Sequence, residues 1–322
     1  MKVNVREFRP ADADALIATF SKVYGPDYPV SVVYDPNHWI SKNQTEELFT
    51  YVAESSDGRL AGLVSFYRVA PFPGLYEFGQ LAIDPEFRRG GLGQGLCAEA
   101  LQRFSVQPVA SGTFGEMGCH WTASQSIIHH LEFVDTALEI GLLPAQTYSK
   151  EHQVSGRISA LVSYRDLRDR PHCLHVPDRW RELLKFCYQG LEVERDWAEC
   201  GEELHGSSRQ RSEYMPGPAV ARLDFWECGA DFESLLSQLE VDFLGRGAEV
   251  LQLALNLEDP RSLAAGEAAA ARGYCCCGLL PRWFDGDGLL LQRNREKPSF
   301  GSERIDGDKG KELAQRIASQ WQ

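Results

Sequence analysis

One short stretch, residues 83–96, constrains this chain more than any other part of it. It reads IDPEFRRGGLGQGL and holds two adjacent arginines and four glycines. Alternating apolar residues run into it, which predicts a strand, and apolar residues at helical spacing follow it. A glycine-rich corner between a strand and a helix exposes backbone N–H groups at the positive end of the helix dipole.

The composition of the corner favours a bound pyrophosphate. Glycines remove the Cβ atoms that keep a phosphate away from the backbone, and arginines add forked cationic donors. A merely tight turn is the alternative interpretation. The spacing does not fit the dinucleotide pattern GxGxxG, and no Lys-Ser or Lys-Thr pair follows as in a P-loop. The residues concerned are Arg88, Arg89, Gly90, Gly91, Gly93 and Gly95.

Composition excludes several other classes of protein. A chain of 322 residues with 43% hydrophobic residues can bury a core and is expected to form two domains. A net charge of −13 argues against a nucleic-acid-binding face and is compatible with an amine substrate. The sequence shows no membrane span and no secretory signal, so we expect a cytoplasmic protein. Nine cysteines without a CxxC pair predict reduced thiols rather than disulfides.

The order of predicted elements in residues 3–104 is strand, helix, three strands, glycine corner and helix. A polar segment with two prolines, 166–180, is predicted to be a linker to a second α/β unit. The tetrapeptide Gly-Leu-Leu-Pro at 141–144 recurs at 278–281, each time after a helix and an aromatic residue and before a strand. This echo favours two related units, although the second lacks the corner.

With its flanking residues, the corner resembles the acyl-CoA motif [Q/R]-x-x-G-x-[G/A] of the GNAT acyltransferase superfamily. The match is Arg88-Arg89-Gly90-Gly91-Leu92-Gly93, preceded by Leu81-Ala82-Ile83. The resemblance implies an α/β fold with a mixed central sheet flanked by helices, followed by a second, smaller GNAT-like α/β domain. The expected domains are an acyl-CoA-binding domain at 1–165, the linker at 166–180, a degenerate GNAT-like domain at 181–294, and a charged tail at 295–322 that can end in a helix.

The resemblance also implies which residues hold acetyl-CoA or CoA, the acyl donor. In that family the strand before the corner binds pantetheine through its backbone, and the amides of the corner hold the pyrophosphate. Carried over, the pantetheine residues are Leu81, Ala82 and Ile83. The pyrophosphate residues are Arg88, Arg89, Gly90, Gly91, Leu92, Gly93 and Gln94. No metal is expected, because Cys275-Cys276-Cys277 would alternate faces in a buried strand and could not ligate one ion.

Acyl transfer to an amine needs a base, and Glu77 is the candidate. Some GNAT members resemble this chain in having a glutamate on the same strand; the alternative is a glutamate at a solvated strand start. Strict alternation places Glu77 on the face of Gly79 and Leu81. The family's proton-donating tyrosine is absent, since Ile128 stands at its position. His129 is the substitute candidate, with two surface histidines at 129 and 130 as the alternative.

The predicted function is therefore an acyl-CoA-dependent N-acyltransferase acting on a primary amine of a small molecule or a protein. The alternative is a catalytically inactive acyl-CoA-binding regulatory or interaction protein, which the missing tyrosine favours. Tyr148 is a weaker candidate for the acid, and Ser124 and Gln125 are expected to cap a helix or contact the cofactor. No nucleic-acid or membrane partner is expected. The chain is expected to be a monomer with tandem units or a homodimer.

Overall fold

A computed structural model describes residues 3–25, 31–88, 90–145 and 156–321. The chain divides into two compact units, Met1–Glu116 and Met117–Gln322, which we call unit 1 and unit 2. Both contain a β-sheet with helices, so the predicted α/β class is confirmed. Within the described ranges, no helix is long and apolar enough to cross a membrane.

The sheet of unit 1 has the strand order β1-β2-β3-β4-β5. Its strands are β1 (Val3–Glu7), β2 (Leu48–Ser55), β3 (Leu60–Tyr67), β4 (Leu75–Ile83) and β5 (Gly112–Gly118), at whose Glu116 unit 1 ends. The first four strands are antiparallel neighbours, whereas β4 and β5 are parallel. The hairpin predicted at Ser56-Asp57-Gly58 is confirmed, with Gly58 in the left-handed region at φ 81°.

Three helices cover the two faces of this sheet: α1 (Ala13–Tyr24), α2 (Pro36–Gln44) and α3 (Leu92–Ser105). Leu63 of β3 lies in a buried cluster with Phe20 of α1 and Trp39 of α2. Phe66 of the same strand stacks on Phe104 of α3, with ring centroids 3.9 Å apart. Because side chains alternate along a strand, α1 and α2 lie on one face and α3 lies on the other.

Within unit 2 the sheet strands follow the order β7-β6-β13-β14-β12-β11-β10, and β8 and β9 form a separate parallel pair. The sheet strands are β6 (Val134–Pro144), β7 (Arg157–Asp166), β10 (Arg209–Met215), β11 (Val220–Glu227), β12 (Val250–Asn256), β13 (Cys275–Leu280) and β14 (Gly288–Asn294). The short pair is β8 (His172–Leu174) and β9 (Arg195–Trp197). The helices are α4 (Ala123–His130), α5 (Asp178–Tyr188), α6 (Phe232–Gly245), α7 (Ser262–Ala271) and α8 (Asp308–Ala318).

The two Gly-Leu-Leu-Pro segments occupy the same place in a repeated series of elements. The series is strand, helix, strand, helix, strand, strand, and it runs from β4 to β7 and again from β11 to β14. One lies in β6, which pairs antiparallel with β7, and the other begins in β13, which pairs antiparallel with β14. Gly141 and Gly278 have φ of 59° and 122°, and each lies at a shift of register. The strands that precede each series, β4–β5 and β11–β12, are parallel pairs.

The polar segment 166–180 packs into unit 2 instead of crossing solvent. It contributes β8, where the Nε2 atom of His172 accepts a hydrogen bond from the backbone N–H of Asp287 at 3.2 Å. Asp287 is fully buried and accepts a hydrogen bond from the Nε of Arg195 at 2.6 Å. Burial favours a raised pKa for Asp287, but the His172 and Arg195 interactions hold that pKa below its ordinary value.

The cysteine run forms the buried strand that the sequence predicts. Cys276 and Cys277 in β13 are fully buried, and burial raises the pKa of both thiols. In the part of the chain that the structure describes, no group of three or more His, Cys, Asp or Glu side chains is arranged to hold a metal ion.

Candidate functional site

Asp84, which directly follows β4, fixes the turn that leads into the glycine corner. Its carboxylate accepts hydrogen bonds from the backbone N–H of Glu86 at 3.0 Å and from the Nζ of Lys22 at 2.7 Å. Burial raises the pKa of Asp84, which is 5% exposed, but these two bonds outweigh burial and lower it. The ionised carboxylate therefore ties α1 to the turn Pro85–Phe87 that leads into the corner.

The corner itself is open. Gly90 and Gly91 have φ of 79° and 74°, a region that residues with a Cβ rarely adopt, and a Cβ added to either would meet nothing within 4 Å. Gly91 is the N-cap of α3 and makes no side-chain capping bond. The first helical bond runs from the N–H of Gly95 to the carbonyl of Gly91 at 3.0 Å. The N–H groups of residues 92–94 therefore lie at an uncapped helix end.

Arg88 is exposed beside this helix end, and its Nε donates to the carbonyl of Ile83 at 3.2 Å. This bond keeps the guanidinium at the corner. Gly93 faces the end of β4, where an added Cβ would lie 3.6 Å from the Cγ1 of Ile83 and 3.9 Å from the Cδ2 of Leu81. Arg89 lies outside the described residues.

Next to the corner, β4 stops pairing with β5. The pairing runs from Leu75 opposite Gly112 to Glu77 opposite Phe114, while β4 continues to Ile83 and β5 to Gly118. On its other edge β4 stays paired with β3 as far as Ile83 opposite Gly62. The last part of β4, which contains Leu81, Ala82 and Ile83, thus has an edge that β5 does not occupy.

A β-bulge lies at this point of β4, and it corrects the face predicted for Leu81. Gln80 has φ of 57°, and the register with β3 shifts between Leu63 and Ser65. A bulge adds one residue to one strand, so the alternation of faces moves by one position. Ala82, not Leu81, therefore shares the face of Glu77 and packs with α1 and α2. The three cross-strand pairs on this face are Glu77–Tyr67, Gly79–Ser65 and Ala82–Leu63.

Glu77, the predicted base, lies at the last position where β4 is paired with β5. Its side chain is partly buried on the sheet face that α1 and α2 cover. Its Oε1 accepts a hydrogen bond from the hydroxyl of Tyr67 at 2.5 Å. Sequence reasoning missed Tyr67, although its place at the end of a strand that pairs with β4 was a usable signal.

His129, the predicted acid, lies at the end of α4 in unit 2. Its Nε2 is 2.9 Å from the Oδ1 of Asp135, and its Nδ1 is 3.4 Å from the Oδ2 of Asp306. The hydrogen bond with Asp135 is the main cause that raises the pKa of His129. His130 is exposed and turns to the carbonyl of Ser126. The two histidines thus diverge as adjacent helical residues must. Tyr148 lies outside the described residues.

Gln125 neither caps α4 nor lies exposed. It is fully buried, and its Nε2 donates to the carbonyl of Arg304 at 2.9 Å. Its Oε1 accepts a bond from the N–H of Asp306 at 2.8 Å. Gln125 therefore binds the backbone of the C-terminal segment, which ends in the helix α8 that the sequence predicted.

The corresponding strand-to-helix corner of unit 2, between β11 and α6, is closed. The N–H of Gly229 donates to the Oγ of Ser208 at 2.9 Å, and the N–H of Ser208 donates to Asp231 at 2.8 Å. A Cβ added to Gly229 would lie 2.4 Å from the backbone of Ser208. The strands β11 and β12 also stay paired from Val220–Val250 to Phe225–Leu255.

Comparison with known families gives one match that covers the open corner. The profile described as Acetyltransferase (GNAT) family matches residues 13–106. That range holds Glu77, the end of β4, the glycine corner and α3. Residues 13–106 are a GNAT acetyltransferase domain.

Solved structures similar to this chain include three N-acetyltransferases, each of which matches 52% of it. The N-acetyltransferase from Staphylococcus aureus Mu50 is 14% identical to this chain, and the match covers 100% of the Staphylococcus protein with a TM-score of 0.41. The ribosomal-protein-S18-alanine N-acetyltransferase of Escherichia coli is 16% identical and covered to 95%, with a TM-score of 0.41. Mutant spermidine/spermine N-acetyltransferase SpeG of Vibrio cholerae is 15% identical and covered to 95%, with a TM-score of 0.40. The comparison with curated proteins gives no match.

Proposed function

We propose that this protein is an acyl-CoA-dependent N-acyltransferase, with acetyl-CoA as donor and a primary amine of a small molecule or a protein as acceptor. The observation that carries the proposal lies inside the GNAT domain. There, one strand and its turn carry the carboxylate of Glu77, the part of β4 that β5 does not pair with, and the uncapped glycine corner. We place the protein in the cytoplasm.

The residues present fit the donor molecule. A pyrophosphate needs N–H donors and positive charge, and the uncapped end of α3 and Arg88 offer both. Gly90 and Gly91 keep the backbone approachable, since a Cβ added to either would meet nothing within 4 Å among the described residues. An amide-bearing pantetheine arm needs strand-like backbone, and Leu81, Ala82 and Ile83 lie beyond the end of the β4–β5 pairing. The carbonyls of Leu81 and Ile83 accept bonds from the hydroxyl of Tyr24 and the Nε of Arg88, so the arm would replace these two side-chain donors. We propose Arg89 as a second cation at this corner.

The proposed chemistry is proton removal coupled to acyl transfer. Bound acetyl-CoA would supply the acyl group as a thioester. Glu77 takes the proton from the amine as the nitrogen–carbon bond forms and the carbon–sulfur bond breaks with its electron pair on sulfur. We keep His129 as the proposed proton donor to that sulfur. The carboxylates of Asp135 and Asp306 favour its protonated form, and one of their two bonds to the ring has to break before an N–H can donate to the sulfur.

We also propose that part of unit 2 is a degenerate second GNAT-like copy that holds no CoA. The repeated series of elements and the Gly-Leu-Leu-Pro segments support the relation, and the closed corner at Gly229 supports the loss of binding. In the domain division proposed from sequence, β6 and β7 belong to the first copy at 1–165. The division into compact units instead places β6 and β7 in unit 2, where β6 pairs with β13 at Ala137 and Gly278.

Replacement of Glu77 tests the base. In E77Q we expect acetyl-CoA binding by calorimetry to be retained and release of free CoA thiol against a panel of primary amines to fall by about 100-fold or more. The matched control is E99Q, which removes another unit 1 carboxylate, one that pairs with Arg103 on the surface of α3. An unchanged rate in E77Q removes Glu77 from the role of base. Binding without thiol release on any amine would favour a catalytically inactive acyl-CoA-binding protein.

A further inference from the structure

Tyr67 and Glu77 form a polar pair at the edge where β4 leaves β5. The two residues are directly opposite each other on antiparallel strands, so their side chains stand on one face of the sheet. The hydroxyl of Tyr67 donates to the Oε1 of Glu77 at 2.5 Å. That length is typical of a strong bond from a hydroxyl to an ionised carboxylate.

The pair meets above Gly79, and only a residue without a side chain leaves room for it. A Cβ added to Gly79 would lie 2.8 Å from the hydroxyl oxygen of Tyr67 and 3.3 Å from its ring atom Cε1. It would lie 3.5 Å from the Oε1 of Glu77. Gly79 has ordinary backbone angles, so its lack of a side chain is explained by this close approach and not by a special backbone conformation.

The ring of Tyr67 is held from the other side. It packs against the buried cluster that includes Leu63 and Trp39, under α1 and α2. A tyrosine anchored in a core has few rotamers to lose, so its hydroxyl is a fixed reference point for a neighbouring carboxylate. Glu77 is partly buried like Tyr67, but its side chain has three rotatable bonds.

We propose that Tyr67 is a positioning residue for Glu77, with Gly79 providing the space in which the two side chains meet. The inference rests on the proposed function and deepens it. The hydroxyl of Tyr67 holds Oε1, which fixes the orientation of the carboxylate and stabilises its ionised form. The carboxylate held in this way takes the proton of the acceptor amine. Tyr67 keeps its own proton throughout.

The first test reads the carboxylate directly and needs no acceptor. Protein labelled with 13C at the side-chain carboxyl of glutamate is titrated by NMR, and the signal of Glu77 is assigned by its loss in E77Q. In Y67F we expect the titration midpoint of Glu77 to move up by about one pH unit, because the charged form loses a hydrogen-bond donor. The matched control is Y76F. The hydroxyl of Tyr76 donates to the carbonyl of Glu46, and Tyr76 precedes Glu77 on the opposite face of β4.

The second test separates positioning from a structural role by moving the hydroxyl without removing it. In G79A the new Cβ displaces the hydroxyl of Tyr67, so this variant should show the same upward shift as Y67F. In the double variant G79A/Y67F the two shifts should not add, because both act through one hydroxyl. In thiol-release assays with acetyl-CoA and spermidine, lysine or an alanyl peptide, the acidic limb of the kcat/KM profile should move up with the NMR midpoint, while Y76F follows wild type.

The outcomes distinguish the two proposals. A midpoint that is the same in wild type, Y67F and Y76F overturns the role of Tyr67, whatever Glu77 does. If the midpoint shifts in Y67F and E77Q still turns over at the wild-type rate, the contact is real but Glu77 is not the base, and the positioning role falls with the proposed function. Additive shifts in G79A/Y67F would show that Gly79 acts through something other than the Tyr67 hydroxyl.

Discussion

Gln80 is the residue whose conformation shapes the candidate site most directly. It has φ of 57° within β4, a left-handed conformation that costs a residue with a Cβ about 1 kcal/mol or more. Its Oε1 is buried and finds no hydrogen-bond partner among the described residues. The strained residue belongs to the bulge, next to the part of β4 that β5 does not pair with. The backbone strain therefore lies where the donor molecule is proposed to bind.

At position 80 we therefore expect glycine to give a more stable protein than alanine, which is the opposite of the usual order in a strand. Glycine in a strand is ordinarily less stable than alanine by about 0.5–1 kcal/mol. Here we expect Q80G to be more stable than Q80A by about 1 kcal/mol, because glycine removes the left-handed strain and alanine keeps it. Urea unfolding monitored by circular dichroism measures the difference. A Q80A protein as stable as Q80G would show that the bulge relaxes without strain.

At the scale of elements, α3 offers a matched pair of glycines. Gly95 lies inside the helix with ordinary angles and open space around it, whereas Gly91 is the left-handed N-cap. We expect G95A to raise the free energy of unfolding by about 0.5–1 kcal/mol, since alanine is the better helix former. We expect G91A to lower it by about 1 kcal/mol and to weaken acetyl-CoA binding in calorimetry. Equal affinities of G91A and wild type would contradict the pyrophosphate assignment.

The C-terminal segment is joined to α4 by an ion pair that titrates. The pKa of His129 is raised by Asp135 and Asp306, so the protonated histidine stabilises the folded state. That contribution is fully present below the ordinary imidazole value and is lost as pH rises through the raised one. We therefore expect this contribution to the free energy of unfolding to decline as pH rises from about 6.5, the ordinary imidazole pKa, through the raised pKa, and H129Q to lack it.

The control for this titration lies one residue further along α4. His130 is exposed and makes its described contact with the carbonyl of Ser126, so H130Q should keep the wild-type slope. Parallel urea titrations of the three proteins at several pH values measure the difference. Equal slopes for wild type and H129Q would show that the two carboxylates do not stabilise the protonated histidine.

At the scale of the whole molecule, the strand-to-helix corner between β4 and α3 is open, whereas the corresponding corner between β11 and α6 is closed. A Cβ added to Gly90 or Gly91 would meet nothing within 4 Å among the described residues, whereas one added to Gly229 would meet the backbone of Ser208 at 2.4 Å. We therefore expect calorimetric titration with acetyl-CoA to give one site per chain, and R88A to weaken that single site. Two sites per chain would contradict the proposal that the second copy has lost CoA binding.

Much of the fold follows from local patterns in the sequence. The strands β2, β3, β4 and β11 alternate or are bounded by turn residues, and the Ser56-Asp57-Gly58 turn joins two of them, so their existence could be predicted. The helix α2 was missed because PNHWISKNQ buries a single residue, Trp39, and has little apolar periodicity. The strands β8 and β9 were missed because each has three residues, which is too short for a pattern.

The sequence by itself determined which chemical groups are available at the corner. They are glycines, arginines and an upstream glutamate, and their types and spacing can be read directly from the local sequence. Tertiary structure decided which side chains meet. The bulge at Gln80 moves Ala82 to the face predicted for Leu81, and Tyr67 reaches Glu77 only because Gly79 lies beneath both. Gln125 binds the backbone of Arg304 and Asp306, far along the chain. Such contacts depend on register and long-range packing, which no local pattern encodes.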